Sequence, residues 1–259
     1  MVESAPFWVR QQRDVIEVRG EDALRYLQGQ VSQDLLPIVV GDSRWTFLLQ
    51  PTGKIDVLAR VWRTAEDVFV FDTDAGSGDT LAARLARFKI RVQADITQLA
   101  WEAVVVRRTG DGQRPAGSVV GWWDRDYDVL GPAAPAPDVV SEAGGNELHG
   151  ARVEAGWPAM GAEIVTGETI PGETGIVSVA VSYTKGCYPG QELVERMDSR
   201  GADAPRRLRL IDVDDGAQPG DPVVHDGKEV GHLTSVAGRR AIAKVRRGVD
   251  VGDAPADGR

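Results

Sequence analysis

The chain contains one cysteine, Cys187, inside its most unusual run: Tyr183-Thr184-Lys185-Gly186-Cys187-Tyr188-Pro189-Gly190-Gln191-Glu192-Leu193-Val194-Glu195-Arg196. Two glycines and a proline bracket the cysteine, so the backbone is expected to make a constrained turn there. From Gln191 the pattern becomes helical, with Leu193, Val194 and Met197 on one side. Cys187 is thereby expected just ahead of a helix N-terminus, with Lys185 two residues away. Both neighbours favour the thiolate, the form that attacks disulfides or captures metal. The competing reading is a small, buried, inert apolar side chain. Gly186 and Gly190 read as a tight turn and a close backbone approach. Tyr188 is expected to stack, to hydrogen-bond near the cysteine or to pack. Gln191 and Glu192 either cap the turn or reach into a pocket, and Arg196 falls at i,i+4 from Glu192, the spacing of a helical ion pair.

Other chemistry is narrowed by counting. One cysteine cannot form an internal disulfide or a cysteine-pair zinc site. His149, His225 and His232 are scattered, so no metal site and no resident iron–sulfur cluster is expected. The formal net charge is −9, which disfavours a general nucleic-acid binder. No run approaches the ~18 apolar residues of a membrane span. The N-terminal segment lacks a basic stretch followed by an apolar one, so a cytoplasmic location in a reducing compartment is expected.

The elements that must position this run alternate between strand and helix. Asp14–Arg19 alternates apolar and charged residues, as a half-buried strand does. Ala23, Leu24, Tyr26 and Leu27 follow at helical spacing behind acidic residues. Trp45–Leu49 and Ile55–Trp62 flank Pro51-Thr52-Gly53-Lys54 as a hairpin. Val68–Phe71 reads as a strand, Leu81, Leu85 and Phe88 as one face of a helix ending near Lys89, and Trp101–Arg107 as another strand. Residues 131–137 form a Pro/Ala loop, and 147–154 a helical turn. Residues 206–247 read as all-β, and 248–259 as a frayed tail. Strands with intervening helices indicate an α+β fold.

The run Lys-Gly-Cys-Tyr-x-Gly-Gln-Glu-x-x-x-Arg, here Lys185 to Arg196, resembles the signature of the YgfZ-type folate-binding proteins, which share the fold of the glycine-cleavage T-protein. Residues 18–34, Leu49–Lys54, Arg87–Arg91, Arg152–Pro158 and Pro171–Gly175 resemble further segments of that family. The likeness covers about residues 14 to 245. It implies a pseudo-symmetric ring of α/β subdomains around a central folate cavity, with a small C-terminal β-barrel. The expected division is a body of residues 1–205 (lobe 1–45 plus 138–205, with 46–137 inserted), a barrel of 206–247 and a flexible tail of 248–259. The implied cofactor is tetrahydrofolate or another reduced folate. The implied role is accessory: assembly or repair of iron–sulfur enzymes, with those enzymes or cluster-assembly proteins as partners and Cys187 in thiol exchange. The alternatives are a tetrahydrofolate-dependent aminomethyltransferase or demethylase, and a non-folate scaffold for protein contacts.

Residue by residue, the resemblance puts Glu154 of Arg152-Val153-Glu154-Ala155-Gly156 on the pterin edge, where one carboxylate takes two hydrogen bonds. Arg206 and Arg207 fall where an arginine precedes the barrel and would meet the glutamate carboxylates. Cys187 and Lys185 match the motif without a gap, and Tyr188, Gln191, Glu192 and Arg196 line the same site. The catalytic acid of true aminomethyltransferases follows a buried strand. Here Asp72, Asp74 and Asp79 follow Val68–Phe71, and an ungapped reading favours Asp79.

Overall fold

The computed structural model describes residues 5–110, 114–124, 126–199 and 204–255. The first four and last four residues, which include the end of the expected tail, lie outside it.

The order of elements is β1 (Phe7–Arg19), α1 (Ala23–Gln28), β2 (Ser43–Leu49), β3 (Ile55–Ala65), β4 (Val68–Asp74), α2 (Gly78–Ala86), β5 (Asp95–Leu99), β6 (Glu102–Arg107), β7 (Val119–Val120), β8 (Tyr127–Gly131), β9 (Ser141–Glu142), α3 (Gly145–Ala155), α4 (Val177–Ala180), α5 (Gln191–Ser199), β10 (Arg206–Asp212), β11 (Pro222–His225), β12 (Lys228–Ala237) and β13 (Arg240–Arg246). Nine strands form one sheet along the path β2-β3-β4-β1-β6-β8-β7, with β5 and β9 also on β1. β1 is longer than its alternating half suggests because it serves two sets of partners. Phe7–Gln12 pairs with β6, and Arg13–Arg19 pairs with β4.

The sheet nearly closes on itself. Its end strands meet where Val120 N donates to Ser43 Oγ (2.9 Å) and Trp45 Nε1 to the Gly121 carbonyl (2.8 Å). The β2–β3 hairpin is buried on both faces. Trp45, Phe47, Leu49 and Leu58 enter one core, with Trp157 and Ile164, while Leu48, Val57, Ala59 and Val61 enter the other, beneath α1 and α2. The two-residue period of a strand divides them in this way.

One buried charge in this apolar hairpin is explained by its partners. Arg60 is fully buried and forks onto Asp72 of β4, with Nε–Oδ1 at 2.9 Å and Nη2–Oδ2 at 3.0 Å. Its Nη1 reaches across to Asp128 of β8 (2.7 Å) and to the Val120 carbonyl. Arg13 joins Asp72 from β1, and Arg107 joins Asp128 from β6 (2.5 Å) with its guanidinium 4.0 Å from the Trp122 ring centroid. Three arginines and two aspartates thus alternate through the interior of the sheet.

The C-terminal segment is a four-stranded antiparallel sheet in the order β10-β13-β12-β11. Leu208, Leu210 and Ile242 pack on Val153 of α3. The stretch expected to fray is tied down at Asp253, which exchanges backbone hydrogen bonds with Leu210, both at 2.8 Å. No helix among the described residues is long and apolar enough to cross a membrane.

Candidate functional site

The cysteine turn is anchored on both flanks. After α4 the chain runs back against the turn that follows α1. Ser182 N donates to the Ser32 carbonyl (3.0 Å), and Ser32 Oγ donates to the Ala180 carbonyl (2.6 Å). Lys185 then inserts its ammonium among three backbone carbonyls, of Gln28 (2.6 Å), Val31 (2.5 Å) and Gln33 (3.1 Å). Carbonyls at and beyond a helix C-terminus lack intrahelical donors, so a cation is a natural partner for them. Burial lowers the Lys185 pKa from 10.5 to about 8, with Asp34 acting in the opposite sense.

On the other flank, Tyr188 is buried and its N–H donates to Gln191 Oε1 (2.9 Å), so Gln191, the first residue of α5, closes the turn. The Tyr188 ring centroid lies 5.0 Å from Lys185 Nζ, and burial, reinforced by Glu195 and Tyr183, pushes the phenol up to about 12. Gly190 has φ +82° and rests on the hairpin. A Cβ there would lie 2.5 Å from the Gln50 carbonyl oxygen and 2.9 Å from Gly53 Cα, so backbone meets backbone. This is the close approach expected of Gly190. Between these anchors, Cys187 is exposed and free.

Lys185 is therefore a positioning residue for the turn. Lys185→Met is expected to speed amide exchange at 186–188 and 190 by about tenfold or more, since hydrogen bonds to a charged donor are each worth about 1.5–3 kcal/mol. It also predicts a pH signature. Because the folded pKa is depressed, the unfolded chain holds more protons between about pH 8 and 10.5, and this group adds stability as pH rises through that window. Urea titrations at stepped pH should show that increment in the wild type and not in Lys185→Met.

The remaining expected residues lie on separate elements. Glu192 and Arg196 are exposed on α5, and no ion pair joins them among the described residues. Glu154, on the last turn of α3, is 59% exposed at its side chain and its Oε2 accepts from Arg108 Nη2 (2.5 Å). Arg206 opens β10 and is exposed. Arg207, beside it, donates to the Val249 carbonyl (3.3 Å), and its buried Nε has no hydrogen-bond partner among the described residues. Asp79 is exposed in the first turn of α2. Of the other two acids after β4's apolar run, Asp72 is engaged by Arg13 and Arg60, and Asp74 by Arg13 (2.5 Å) and the Met160 N–H (3.0 Å). Among the described residues no three His, Cys, Asp or Glu side chains gather as a metal site.

A buried cluster that sequence inspection passes over joins α3 to the C-terminal sheet. Glu163, 1% exposed, accepts from Arg152 (2.9 Å), the Ala159 N–H (3.0 Å) and Ser235 Oγ (2.7 Å). Lys244 donates to the Glu163 carbonyl (2.9 Å). The only local hint is Lys244 itself, a lone cation in the apolar strand Ala241–Val245.

This is the fold of an aminomethyltransferase T-protein. The crystal structure of the glycine cleavage system aminomethyltransferase T from Bartonella henselae matches 94% of this chain and 79% of its own with a TM-score of 0.78, at 17% identity. Residues 206–256 match the family described as CAF17, C-terminal beta-barrel domain. Two curated relatives are the mitochondrial iron–sulfur cluster assembly factor IBA57 homolog of Chaetomium globosum (25% identity, 90% of this chain, 62% of that protein) and the tRNA-modifying protein YgfZ of Hamiltonella defensa (25%, 77% and 68%). The chain thus spans about three fifths of the length of that fungal relative. It is similar to YgfZ and IBA57 proteins in sequence and to the aminomethyltransferase T-protein in fold.

Proposed function

We propose that the protein is a tetrahydrofolate-binding accessory factor for assembly or repair of iron–sulfur enzymes, and that Cys187 is its exchanging thiol. The observation that carries this reading is the exposure of Cys187 on a turn whose flanking residues are all held. A packing cysteine sits in the core. This one stands at the surface between a caged lysine, a buried tyrosine and a glycine pressed on the hairpin. In the proposed step the Cys187 thiolate attacks a partner's disulfide, one S–S bond forms as the other breaks, and the electron pair leaves on the partner's second sulfur. The similarity to IBA57, an iron–sulfur cluster assembly factor, supports the iron–sulfur part of this reading. The single cysteine suits a reducing, cytoplasmic location.

The donor set suits a reduced folate. Glu154 offers a carboxylate to the pterin edge, and Arg206 and Arg207 offer guanidinium groups to the glutamate tail. The unpartnered Arg207 Nε is a donor in want of an acceptor. Bound folate would supply a one-carbon carrier, and this chain's residues would hold and orient it. In this reading residues 1–205 form the folate body and 206–247 brace it.

The test uses cells lacking the endogenous protein. Cys187→Ala and Cys187→Ser are expected to lose restoration of iron–sulfur enzyme activity while keeping wild-type melting temperature and folate affinity. Full restoration by both removes the thiol step. Titration with tetrahydrofolate should raise stability by about 2.7 kcal/mol at a hundredfold excess over Kd. Absence of both heat and stabilisation would leave a protein-contact scaffold.

A further inference from the structure

Residues 80–94 carry Arg84, Arg87, Lys89 and Arg91 and no acid, in a chain of net charge −9. Arg84 turns inward, donating to the Leu49 carbonyl (3.0 Å) and to Gln30 Oε1 (3.2 Å) and lying 3.5 Å from Asp56. Arg87 and Arg91 are exposed and Lys89 is half-buried, and among the described residues none of the three makes an ion pair. The helical face expected to run to Phe88 stops at Ala86. Beyond it the chain folds tightly, with Ile90 N donating to the Phe88 carbonyl (2.9 Å) and Arg91 at φ +55°. Holding a non-glycine residue there is strained, and the result is an Ile90 that is 77% exposed. Stability alone would place glycine at 91 and a polar residue at 90.

This basic turn is fastened to the same two pieces of chain as the cysteine turn. Arg84 holds the Gln30 side chain, while Lys185 holds the carbonyls of Gln28, Val31 and Gln33 on either side of it. Arg84 also holds the Leu49 carbonyl, and Gly190 lies against Leu49 and Gln50. Leu36, 63% exposed, follows directly, its N–H on Asp34.

We infer that the turn Arg87–Arg91 is a docking surface for an acidic polypeptide segment bearing apolar side chains, which it delivers to Cys187. The inference rests on the thiol role proposed above. Charge complementarity selects the occupant, because this turn is basic in a chain whose net charge is −9. A nucleic acid would stack its bases on a free aromatic face. The Phe88 ring is already flanked by the guanidinium groups of Arg84 and Arg87, 5.1 and 5.4 Å from its centroid.

The experiment uses synthetic peptides of equal length, each with one cysteine as its 2-pyridyl disulfide, flanked by Glu and Leu, Gln and Leu, or Lys and Leu. Cys187 attacks the peptide's cysteine sulfur. A new S–S bond forms, the old one breaks, and its electron pair leaves as pyridine-2-thione, which takes a solvent proton. At low salt the Glu peptide is expected to react about tenfold faster than the Lys peptide, with the advantage fading as salt rises. Arg87→Glu/Lys89→Glu/Arg91→Glu should reverse the order while leaving reaction with neutral 2,2′-dithiodipyridine unchanged. The glutamine triple variant serves if charge reversal impairs folding. A faster Lys peptide, or a preference that survives the variants, overturns the inference. If the neutral reagent does not modify Cys187, the thiol reading fails separately. Fluorescence anisotropy of the labelled peptides then decides docking, with the same order expected. A single-stranded RNA oligomer that binds more tightly than the Glu peptide, and loses that binding in the variant, also overturns it.

Discussion

Asp72→Ala is expected to lower folding free energy by about 3–5 kcal/mol, read as a fall in the urea midpoint at unchanged slope. Asp72 is fully buried, and its carboxylate accepts from Arg13 Nε (2.9 Å) and from Arg60 Nε and Nη2 (2.9 and 3.0 Å). Removing it leaves Arg60 with Asp128 as its remaining ionic partner and Arg13 with Asp74. A guanidinium that cannot reach water and has lost a counter-charge is costly in a way that an exposed one is not. A loss under about 1 kcal/mol would show that the two arginines regain solvent.

The same network predicts an acid limb. Burial alone would raise the Asp128 carboxyl, but Arg107 and Arg60 beside it hold it below the usual carboxylate range. The folded pKa is therefore depressed. The stability it confers is complete above the unfolded value, about 3.9, and is lost as pH falls through the folded value. Asp128→Asn should start less stable and lose less on acidification.

Glu163→Ala is expected to have an effect of comparable size, about 3–5 kcal/mol, with a different signature. Its carboxylate joins Arg152 of α3, the Ala159 backbone and Ser235 of β12, and its backbone carbonyl holds Lys244 of β13. Loss of the carboxylate should loosen the C-terminal sheet first. Hydrogen exchange is expected to accelerate in β12 and β13 before it does in β2 and β3. Uniform acceleration across both sheets would show that the cluster does not divide them. Arg240→Ala is the control. Its partners Asp212 and Asp253 are 85% and 77% exposed, so its removal should cost under about 1 kcal/mol.

Much of the secondary structure is legible in the residues. The β2–β3 hairpin follows from two apolar runs around Pro51-Thr52-Gly53-Lys54, and α5 from the spacing of Leu193, Val194 and Met197. Phe88 shows the limit of that reading. It completes a helical face by spacing, yet α2 ends two residues earlier and the ring is held by arginines. Periodicity reports which positions share a face, and tertiary contacts decide where the helix stops.

The cysteine motif behaves in the same way. Its order of residues determined by itself that a glycine-bracketed turn precedes a helix, and that Cys187 is the one thiol such a turn could present. Only the tertiary structure decided that Cys187 faces solvent, that Lys185 spends its ammonium on the carbonyls of Gln28, Val31 and Gln33, and that Arg60 finds Asp72 and Asp128. The reason is physical. Backbone preference and hydrophobic period act between near neighbours in the chain, whereas a buried charge must be matched by whatever the fold brings opposite it. For Lys185 and Gln28 that partner lies 157 residues away.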